Sequence, residues 1–378
     1  MTPRSIHEAT TLASPVHNDE SWHKQDGSIF ILNGRYQLPI DELLRDLYLA
    51  ADDLVVVGGS LIDGYGNAFS DVDVYVVTER RPAIERVEWR RHDWMWSSSG
   101  DISEKRSGVL HETFDYVADT RLAINVEYIE RAEAQARFEH ACARYLDALT
   151  HTQPLSLLSY RESHFLHRLL SGVPIRNGSL MEAIVGKFDT AKLCYLGYRT
   201  FVGNYPAFRD VCGACVAGNW ENAALLARSY LSGQMMALTF LGGQSNPNIK
   251  WVLSKARGMP PDYKGIVAEY ERVLLEPIRT ADEQAKIVWE SLDLIDRILM
   301  ASHRLLDLNP AFLSTHQALR LLREERQRHH AHPDIEGYFS LWEKLYAETP
   351  DKIAEMVRQS IATVVEARTA IKLGTRRV

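Results

Sequence analysis

The sequence is short of cysteine, of long apolar stretches and of excess positive charge, and each shortage excludes a class of protein. Four cysteines in 378 residues are too few and too scattered for a disulfide framework. Cys212 and Cys215 form a lone Cys-x-x-Cys pair without further ligands at metal spacing, so we expect structural thiols. No apolar run approaches the roughly 20 residues of a membrane helix, and residues 1–20 contain no apolar signal segment. We therefore expect a cytoplasmic protein without a membrane partner.

Net charge limits the choice of macromolecular partner. The chain carries 43 Lys and Arg against 50 Asp and Glu, which gives a formal net charge of -7. A protein that covers long nucleic acid needs a broad basic surface, so such a partner is not expected. A local basic pocket for a small anion remains compatible with this charge.

Two regions of different character follow a short leader. Residues 1–24 are polar and predict a poorly ordered leader. Residues 25–150 contain strand patterns and predict a small domain with a mixed sheet. Strand patterns disappear over residues 155–374, where helical patterns alternate with breaks at glycine and proline. The predicted fold class is therefore α+β, with a small mixed-sheet head followed by an α-helical bundle domain. Helices are predicted over 160–171, 179–200, 220–241, 263–275, 281–307, 312–330, 335–347 and 351–372.

Three segments of the first domain have the apolar pattern of strands. Residues 54–57 form an apolar, β-branched run that ends at a Gly-Gly pair. Residues 71–77 alternate between valine and polar or aromatic residues. Residues 122–129 alternate again, with apolar residues on one face and Asn125 and Glu127 on the other. The polar positions of these strands are the candidates for catalytic and metal-binding residues.

Two carboxylates are expected to share one face of the second strand. Residues i and i+2 of a strand point to the same side, so Asp71 and Asp73 lie close together. Like charges so placed repel each other unless a cation lies between them. Mg²⁺ prefers oxygen ligands and usually keeps waters or substrate phosphates, so the pair forms half of a Mg²⁺ site.

The Gly-Gly-Ser segment before these carboxylates has the composition of a phosphate-binding turn. Gly58 and Gly59 let the backbone approach a ligand closely, and Ser60 adds a hydroxyl donor. Backbone N–H groups at such a turn bind phosphate oxygens. Ser70, directly before the first aspartate, is assigned to the same nucleotide-binding set. Glu127 on the third strand is expected to face the site, as a metal ligand or as a general base.

These residues resemble the polymerase-β-like nucleotidyltransferase superfamily. Its pattern is an apolar residue, Gly-[Gly/Ser], a short gap, and then Asp-apolar-[Asp/Glu]-apolar. Here the pattern reads Val57-Gly58-Gly59-Ser60 and Asp71-Val72-Asp73-Val74, and the later apolar-[Asp/Glu]-apolar element reads Val126-Glu127-Tyr128. The resemblance covers about residues 50–150. The gap, Asp63-Gly64-Tyr65-Gly66-Asn67, lacks the Arg-Gly-Thr that is common in nucleotide-joining members, which makes such an activity less expected.

The overall layout looks like that of the antibiotic-modifying branch, such as the aminoglycoside nucleotidyltransferases. In that branch the helical domain supplies a basic residue to the triphosphate, and the resemblance suggests Lys250 and Lys255 for this role. It also implies two Mg²⁺ ions, held by Asp71, Asp73 and Glu127, and ATP or another nucleoside triphosphate as donor. Glu127 would accept the proton of the acceptor.

The resemblance implies transfer of a nucleoside monophosphate, most simply AMP from ATP, to a hydroxyl or amine of a small molecule, with release of pyrophosphate. Two alternatives stay open. One is a nucleotidyltransferase that acts on a protein, a tRNA or a second nucleotide. The other is a non-catalytic module, antitoxin-like or scaffolding, that has kept the fold.

Overall fold

The computed structural model describes most of the chain. The described residues are 22–31, 34, 36–67, 69–81, 110–115, 123–152, 157–328, 333–347, 353 and 355–363. Residues 1–21 of the predicted leader lie outside this set, and the first strand begins at Trp22, inside the range of that leader.

Strands concentrate in the first half of the chain and helices in the second. The strands are β1 (Trp22–Gln25), β2 (Ser28–Ile31), β3 (Tyr36–Pro39), β4 (Leu54–Gly58), β5 (Val72–Thr78), β6 (Leu110–Asp115), β7 (Ala123–Glu130) and β8 (Val173–Arg176). The helices are α1 (Ile40–Asp46), α2 (Arg131–Thr150), α3 (Tyr160–Ser171), α4 (Leu180–Val185), α5 (Thr190–Val202), α6 (Tyr205–Val216), α7 (Trp220–Leu241), α8 (Val252–Arg257), α9 (Lys264–Leu275), α10 (Ala281–Leu308), α11 (Thr315–Arg328) and α12 (Pro333–Tyr346). This arrangement confirms the predicted α+β class, in which a small sheet region precedes a helical region.

The larger sheet is mixed, as predicted. Its strand order is β6-β7-β5-β4-β8. β5 runs parallel to β7, with Asp73 beside Asn125 and Tyr75 beside Glu127. β4 runs antiparallel to β5, which places Gly58 beside Asp73. The two strands that carry the predicted motifs are therefore direct neighbours at the centre of the sheet.

Each face of this sheet is covered by a different layer. On one face, residues such as Val55, Val57 and Val74 pack with the small β1–β3 sheet and with α1. On the other face, Tyr75 and Val77 pack with the helical region. Because alternate residues of a strand point to opposite faces, Asp73 lies on the same face as Tyr75 and looks towards the helices.

α3 is the helical element that reaches the sheet at this point. It begins with a capping box, in which the Ser159 hydroxyl accepts from Glu162 N–H and the Glu162 carboxylate accepts from Ser159 N–H. Phe165, Leu166 and Leu169 bury its apolar side. A Cβ at Gly172 would overlap the Arg168 carbonyl and Val56, so only glycine allows the close turn from α3 back to the sheet.

The structure corrects the expectation that strands disappear after residue 155. β8 lies in this range and adds an antiparallel edge to β4. Proline is tolerated in an edge strand because the unpaired side needs no N–H, so Val173-Pro174-Ile175-Arg176 can form one although it is short. The single helix predicted over 179–200 is two helices: α4 ends at Val185, before Gly186 with its φ of +61°, and α5 begins after the Asp189 cap and continues to Val202.

The helical region is built around two long, mutually packed helices, α7 and α10. Among the helices of the described residues, none is both long enough and apolar enough to cross a membrane.

Candidate active site

The two predicted aspartates lie at the start of β5, on the face that looks towards the helices. Asp73 is almost fully buried, with 5% of its surface exposed. Asp71, directly before the strand, is partly exposed and accepts a hydrogen bond from Asn125 Nδ2 on the neighbouring β7. The parallel register of β5 and β7 therefore orients the first carboxylate, while burial constrains the second.

The turn after β4 consists of residues 59–66 and is called the glycine turn. It lies directly against Asp73. Gly59 has φ of +98°, a conformation that L side chains rarely adopt. A Cβ at this position would also overlap the Asp73 carboxylate. Gly58 is paired with Asp73 across the sheet and packs on the backbone of Arg168. The structure thus brings the predicted Gly-Gly segment and the predicted carboxylate into contact.

Arg168 of α3 faces the same carboxylate from the helical side. Its Nη2 lies 2.8 Å from Asp73 Oδ2, and both side chains are mostly buried. Its Nη1 donates to the Tyr75 hydroxyl at 2.7 Å. The N···O distance is that of an ion pair, but the Arg168 N–H groups are not aligned for a hydrogen bond to this oxygen, so Asp73 Oδ2 has no hydrogen-bond donor among the described residues. This oxygen therefore keeps capacity for a further ligand.

Glu127 joins the cluster through Tyr75. The two residues are register partners on β7 and β5, and the Tyr75 hydroxyl lies 3.5 Å from Glu127 Oε1. Glu127 is partly exposed on the face predicted from the strand alternation. Arg168, Tyr75 and Glu127 thus form a connected polar row next to Asp73.

The pKa of Asp73 reflects its burial first and the neighbouring charges second. Burial is the main cause that raises its pKa to about 7. The Arg168 guanidinium acts in the opposite direction, whereas the carboxylates of Asp71 and Glu127 raise the pKa further. A bound cation would relieve this repulsion.

The two predicted serines have different placements. Ser60 begins the turn after β4, and its carbonyl accepts from Tyr65 N–H at 2.9 Å and from Gly66 N–H at 2.7 Å. Ser70 closes the loop before Asp71, where its hydroxyl accepts from Asn67 N–H at 3.0 Å. Ser70 directly precedes Asp71, and Ser60 directly follows Gly59, which lies against Asp73.

Lys250 lies on the rim of the same region. Its ammonium lies 4.9 Å from the ring centre of Trp251, and Trp251 stacks on Tyr65 of the glycine turn. Its charge also reaches His164 of α3. Burial, then Arg168 and other nearby cations including Lys250, lower the pKa of His164 to about 3, so this imidazole is neutral.

Lys255 is placed differently from the triphosphate-binding role suggested for it. Its side chain is fully buried, and Nζ donates to the Asn246 carbonyl at 2.6 Å. Phe240 lies below the ammonium at 4.3 Å from its ring centre. Burial lowers the pKa of Lys255 to about 7. Its ammonium therefore lies behind the site, with no exposed surface.

Three site residues were missed from the sequence: Asn125, Tyr75 and Arg168. Asn125 lies two residues before Glu127 on β7, and Tyr75 lies two residues after Asp73 on β5. Each therefore shares a strand face with a predicted site residue, and the register between the strands would have identified both. Arg168 has a weaker signal: with His164 and Ser171 it forms a polar stripe at helical spacing on an amphipathic helix that carries other polar residues as well.

Side chains alone do not complete a metal site anywhere in the part of the chain that the structure describes, and this includes Asp71, Asp73 and Glu127. No three His, Cys, Asp or Glu residues there form a group that could hold a metal ion by themselves. Cys212 and Cys215 are free thiols, and burial raises the pKa of each to about 11. The expectation of structural thiols at these two positions stays a prediction.

Comparison with known proteins does not assign this chain to a family. No family model matches the chain, and no curated protein matches it. Among solved structures, it is similar to a nucleotidyltransferase-like protein from Exiguobacterium sibiricum 255-15, with 15% identity and a TM-score of 0.35. The match covers 75% of this chain and 78% of that chain. The function of the present chain is therefore proposed from its own site residues.

Proposed function

We propose that this protein is a Mg²⁺-dependent nucleotidyltransferase. It moves a nucleoside monophosphate, in the first instance AMP from ATP, to a hydroxyl or amine of a small acceptor and releases pyrophosphate. The observation that carries the proposal is the contact between Gly59 and Asp73. A glycine turn suited to phosphate lies directly against a carboxylate suited to Mg²⁺.

The residues present fit a divalent cation. Asp73 Oδ2 is buried without an aligned donor, and burial, followed by the nearby carboxylates of Asp71 and Glu127, raises its pKa despite the Arg168 guanidinium. Asp71 and Asp73 would hold the ion, and triphosphate oxygens and water would complete its ligands, since no third side chain joins them among the described residues. When bound, Mg²⁺ would neutralise charge on the reacting phosphates.

Basic side chains for the triphosphate come from the helical region. Arg168 lies at the carboxylates and presents a planar set of donors suited to phosphate oxygens. Lys250 lies farther out, beside Trp251 and the glycine turn. Arg168 replaces Lys255 as the main candidate, because Lys255 is buried and bound to the Asn246 carbonyl.

Glu127 is the candidate proton acceptor. In the proposed reaction the acceptor oxygen or nitrogen forms a bond to the α-phosphorus, and the bond from that phosphorus to pyrophosphate breaks. The proton of the acceptor passes to the Glu127 carboxylate, which is partly exposed on the face of the carboxylate pair. Tyr75 holds Glu127 and Arg168 in one hydrogen-bonded row.

A small acceptor agrees best with the charge of the chain. The formal net charge of -7 does not favour a long nucleic acid. Incubation with labelled ATP, GTP, CTP and UTP and a cell extract would reveal the class of acceptor. Label in a small molecule supports the proposal, and label in protein or RNA supports a macromolecular acceptor instead.

The test of the mechanism is the double variant Asp71→Asn plus Asp73→Asn. It should abolish Mg²⁺-dependent triphosphate turnover while the circular dichroism spectrum stays unchanged. Asp262→Asn plus Asp293→Asn is the matched control, because both of these aspartates are exposed in the helical region. Full turnover in the Asp71/Asp73 variant would overturn the proposal.

Glu127→Gln separates two roles for the third carboxylate. As a proton acceptor, its loss should lower the turnover rate and leave the affinity for Mg²⁺ and ATP unchanged. As a metal ligand, its loss should weaken that affinity as well. Calorimetric titration in the absence of acceptor measures the second quantity directly.

A further inference from the structure

Asp63 is a buried carboxylate in the turn that follows the Gly-Gly-Ser segment, and none of the proposed chemistry uses it. Only 6% of its side chain is exposed. It accepts hydrogen bonds from His167 Nε2 at 2.9 Å, from Asn246 Nδ2 at 2.8 Å and from the Ser171 hydroxyl at 3.3 Å. Burial alone would raise the pKa of Asp63, but these three partners outweigh it and keep the pKa below its ordinary value. The carboxylate is therefore ionised and well bound.

All three donors belong to the helical region, and two of them are themselves held. His167 Nδ1 lies 2.9 Å from the Ser245 hydroxyl. The carbonyl of Asn246 accepts from Lys255 Nζ at 2.6 Å. Because an ionised carboxylate can only accept, His167 Nε2 carries the proton that points to Asp63. The Asp63 carboxylate is thus bound to donors of the helical region, two of which are held by further hydrogen bonds.

The order Ser245–His167–Asp63 has the composition of a nucleophilic triad, but its burial excludes that role. Ser245 is 6% exposed and His167 is 4% exposed, so neither can meet a substrate. Packing and hydrogen bonding, rather than nucleophilic attack, are what this array can provide.

The turn that contains Asp63 is internally stiff, so that an anchor at one residue fixes the others. The Ser60 carbonyl accepts from both Tyr65 and Gly66 N–H, and the Gly59 carbonyl accepts from Asp63 N–H at 3.0 Å. A Cβ at Gly66 would overlap the backbone of Leu61, which shows how tightly the turn closes.

Neighbouring residues of α3 contact the two halves of the proposed site. His167 binds Asp63 of the glycine turn, and Arg168 pairs with Asp73 of β5. One helix therefore sets the position of the turn relative to the carboxylate.

We propose that Asp63 is a positioning residue, whose buried bonds to His167 and Asn246 hold the Gly59–Ser60 turn in place to receive the triphosphate. This inference rests on the proposed function. It assigns a role to the gap between the two motifs, which differs from the nucleotide-joining pattern. Lys255 donates to the Asn246 carbonyl, and the Asn246 amide donates to Asp63. Lys255 therefore supports the turn indirectly and does not contact a phosphate in this proposal.

The experiment combines amide hydrogen exchange with nucleotide binding. Exchange is followed by mass spectrometry in peptides covering residues 58–67, and the affinity for ATP with Mg²⁺ is measured by calorimetry without acceptor. Asp63→Ala should speed exchange in these peptides and weaken ATP binding by about tenfold or more. Asp63→Asn, which keeps an accepting oxygen, should fall between Asp63→Ala and the wild type. Asp262→Ala, at an exposed aspartate, should change neither quantity.

Each result decides a separate point. Wild-type exchange rates in Asp63→Ala, or faster exchange with unchanged ATP affinity, would overturn the positioning role. Absence of nucleotide binding by the wild-type protein would instead overturn the proposed function, while the exchange contrast still tests the anchor. If Asp63→Ala does not fold, Asp63→Asn and Ser171→Ala give the same comparison, since each removes only part of the anchor.

Discussion

Arg168 Nη2 lies 2.8 Å from Asp73 Oδ2, and this pair joins the helical region to the centre of the sheet. Because both side chains are mostly buried, water screens their attraction weakly. A double-mutant cycle with Arg168→Gln and Asp73→Asn should give a favourable coupling of about 1–3 kcal/mol at about pH 8. Since the pKa of Asp73 is raised to about 7, the coupling should fall as the pH drops below that value and the carboxylate becomes protonated.

The control for this cycle is the Arg257–Glu271 pair, whose N···O distance of 2.7 Å is similar but whose arginine is exposed. Its coupling should be much smaller and should show no loss between about pH 8 and pH 6. Equal coupling in the two pairs, measured by urea unfolding, would contradict the account of a buried ion pair.

Tyr75→Phe tests whether the hydroxyl that binds Arg168 matters for the triphosphate. The change keeps the ring in the core and removes the acceptor at 2.7 Å from Arg168 Nη1. We expect a loss of about 1 kcal/mol in the free energy of unfolding and weaker binding of ATP with Mg²⁺. Tyr270→Phe removes a comparable buried hydroxyl that donates to Ser232 at 3.1 Å in the helical region. It should lower stability by a similar amount and leave ATP affinity unchanged, and an equal loss of affinity in both variants would refute the prediction.

Gly59→Ala should be strongly destabilising for two independent reasons. The backbone at this position has φ of +98°, and the new Cβ would overlap the Asp73 carboxylate. We expect a loss of more than about 2 kcal/mol in the free energy of unfolding, together with loss of triphosphate binding. Gly213→Ala, within α6 and with open space around it, should instead stabilise the protein by about 0.5–1 kcal/mol. Thermal unfolding of both variants measures this contrast, and a tolerated alanine at position 59 would contradict the described turn.

Lys255→Met should change how stability depends on pH. The ordinary lysine pKa is near 10.5, and burial lowers it to about 7 in the folded protein. Between these values the unfolded chain holds a proton that the folded chain has released, so raising the pH stabilises the wild type in this window. The free energy of unfolding of the wild type, relative to that of Lys255→Met, should therefore rise by up to about 1.4 kcal/mol per pH unit in this window.

The comparison uses urea unfolding between about pH 7 and pH 10. Lys264→Met, at an exposed lysine on α9, should follow the pH dependence of the wild type. Parallel curves for Lys255→Met and the wild type would show that the ammonium is not desolvated as described.

The sequence was sufficient to predict the central strands and the face that carries the carboxylates. Alternation over residues 71–77 and 122–129 determines which side chains of one strand share a side, so it placed Asp73 with Asp71 and Glu127 with Asn125. The parallel pairing of β5 with β7 then brings the two pairs onto one face. Gly59 was predicted as a phosphate turn, and its direct contact with Asp73 follows from the antiparallel pairing of β4 and β5, which no local pattern specifies.

Features that depend on tertiary packing were beyond the sequence. Arg168 lies in an amphipathic helix where a basic residue is usually solvated, and only the packing of α3 on β4 brings it to Asp73. Lys255 was expected to reach a triphosphate because the family resemblance suggests a basic residue from the helical domain for this role, and lysines are seldom buried. Its burial among Met236, Phe240 and Asn246 is a property of the folded helices.

The edge strand β8 has a consequence for anyone who prepares fragments of this protein. A fragment that ends with α2 would contain the glycine turn and both aspartates, but it would lack Arg168 and β8, the strand that pairs with the outer edge of β4. The apolar strand β4 would then expose unpaired N–H and C=O groups, a surface that favours association between copies. The shortest fragment worth expressing therefore extends through Arg176, and it carries α3 along with the sheet.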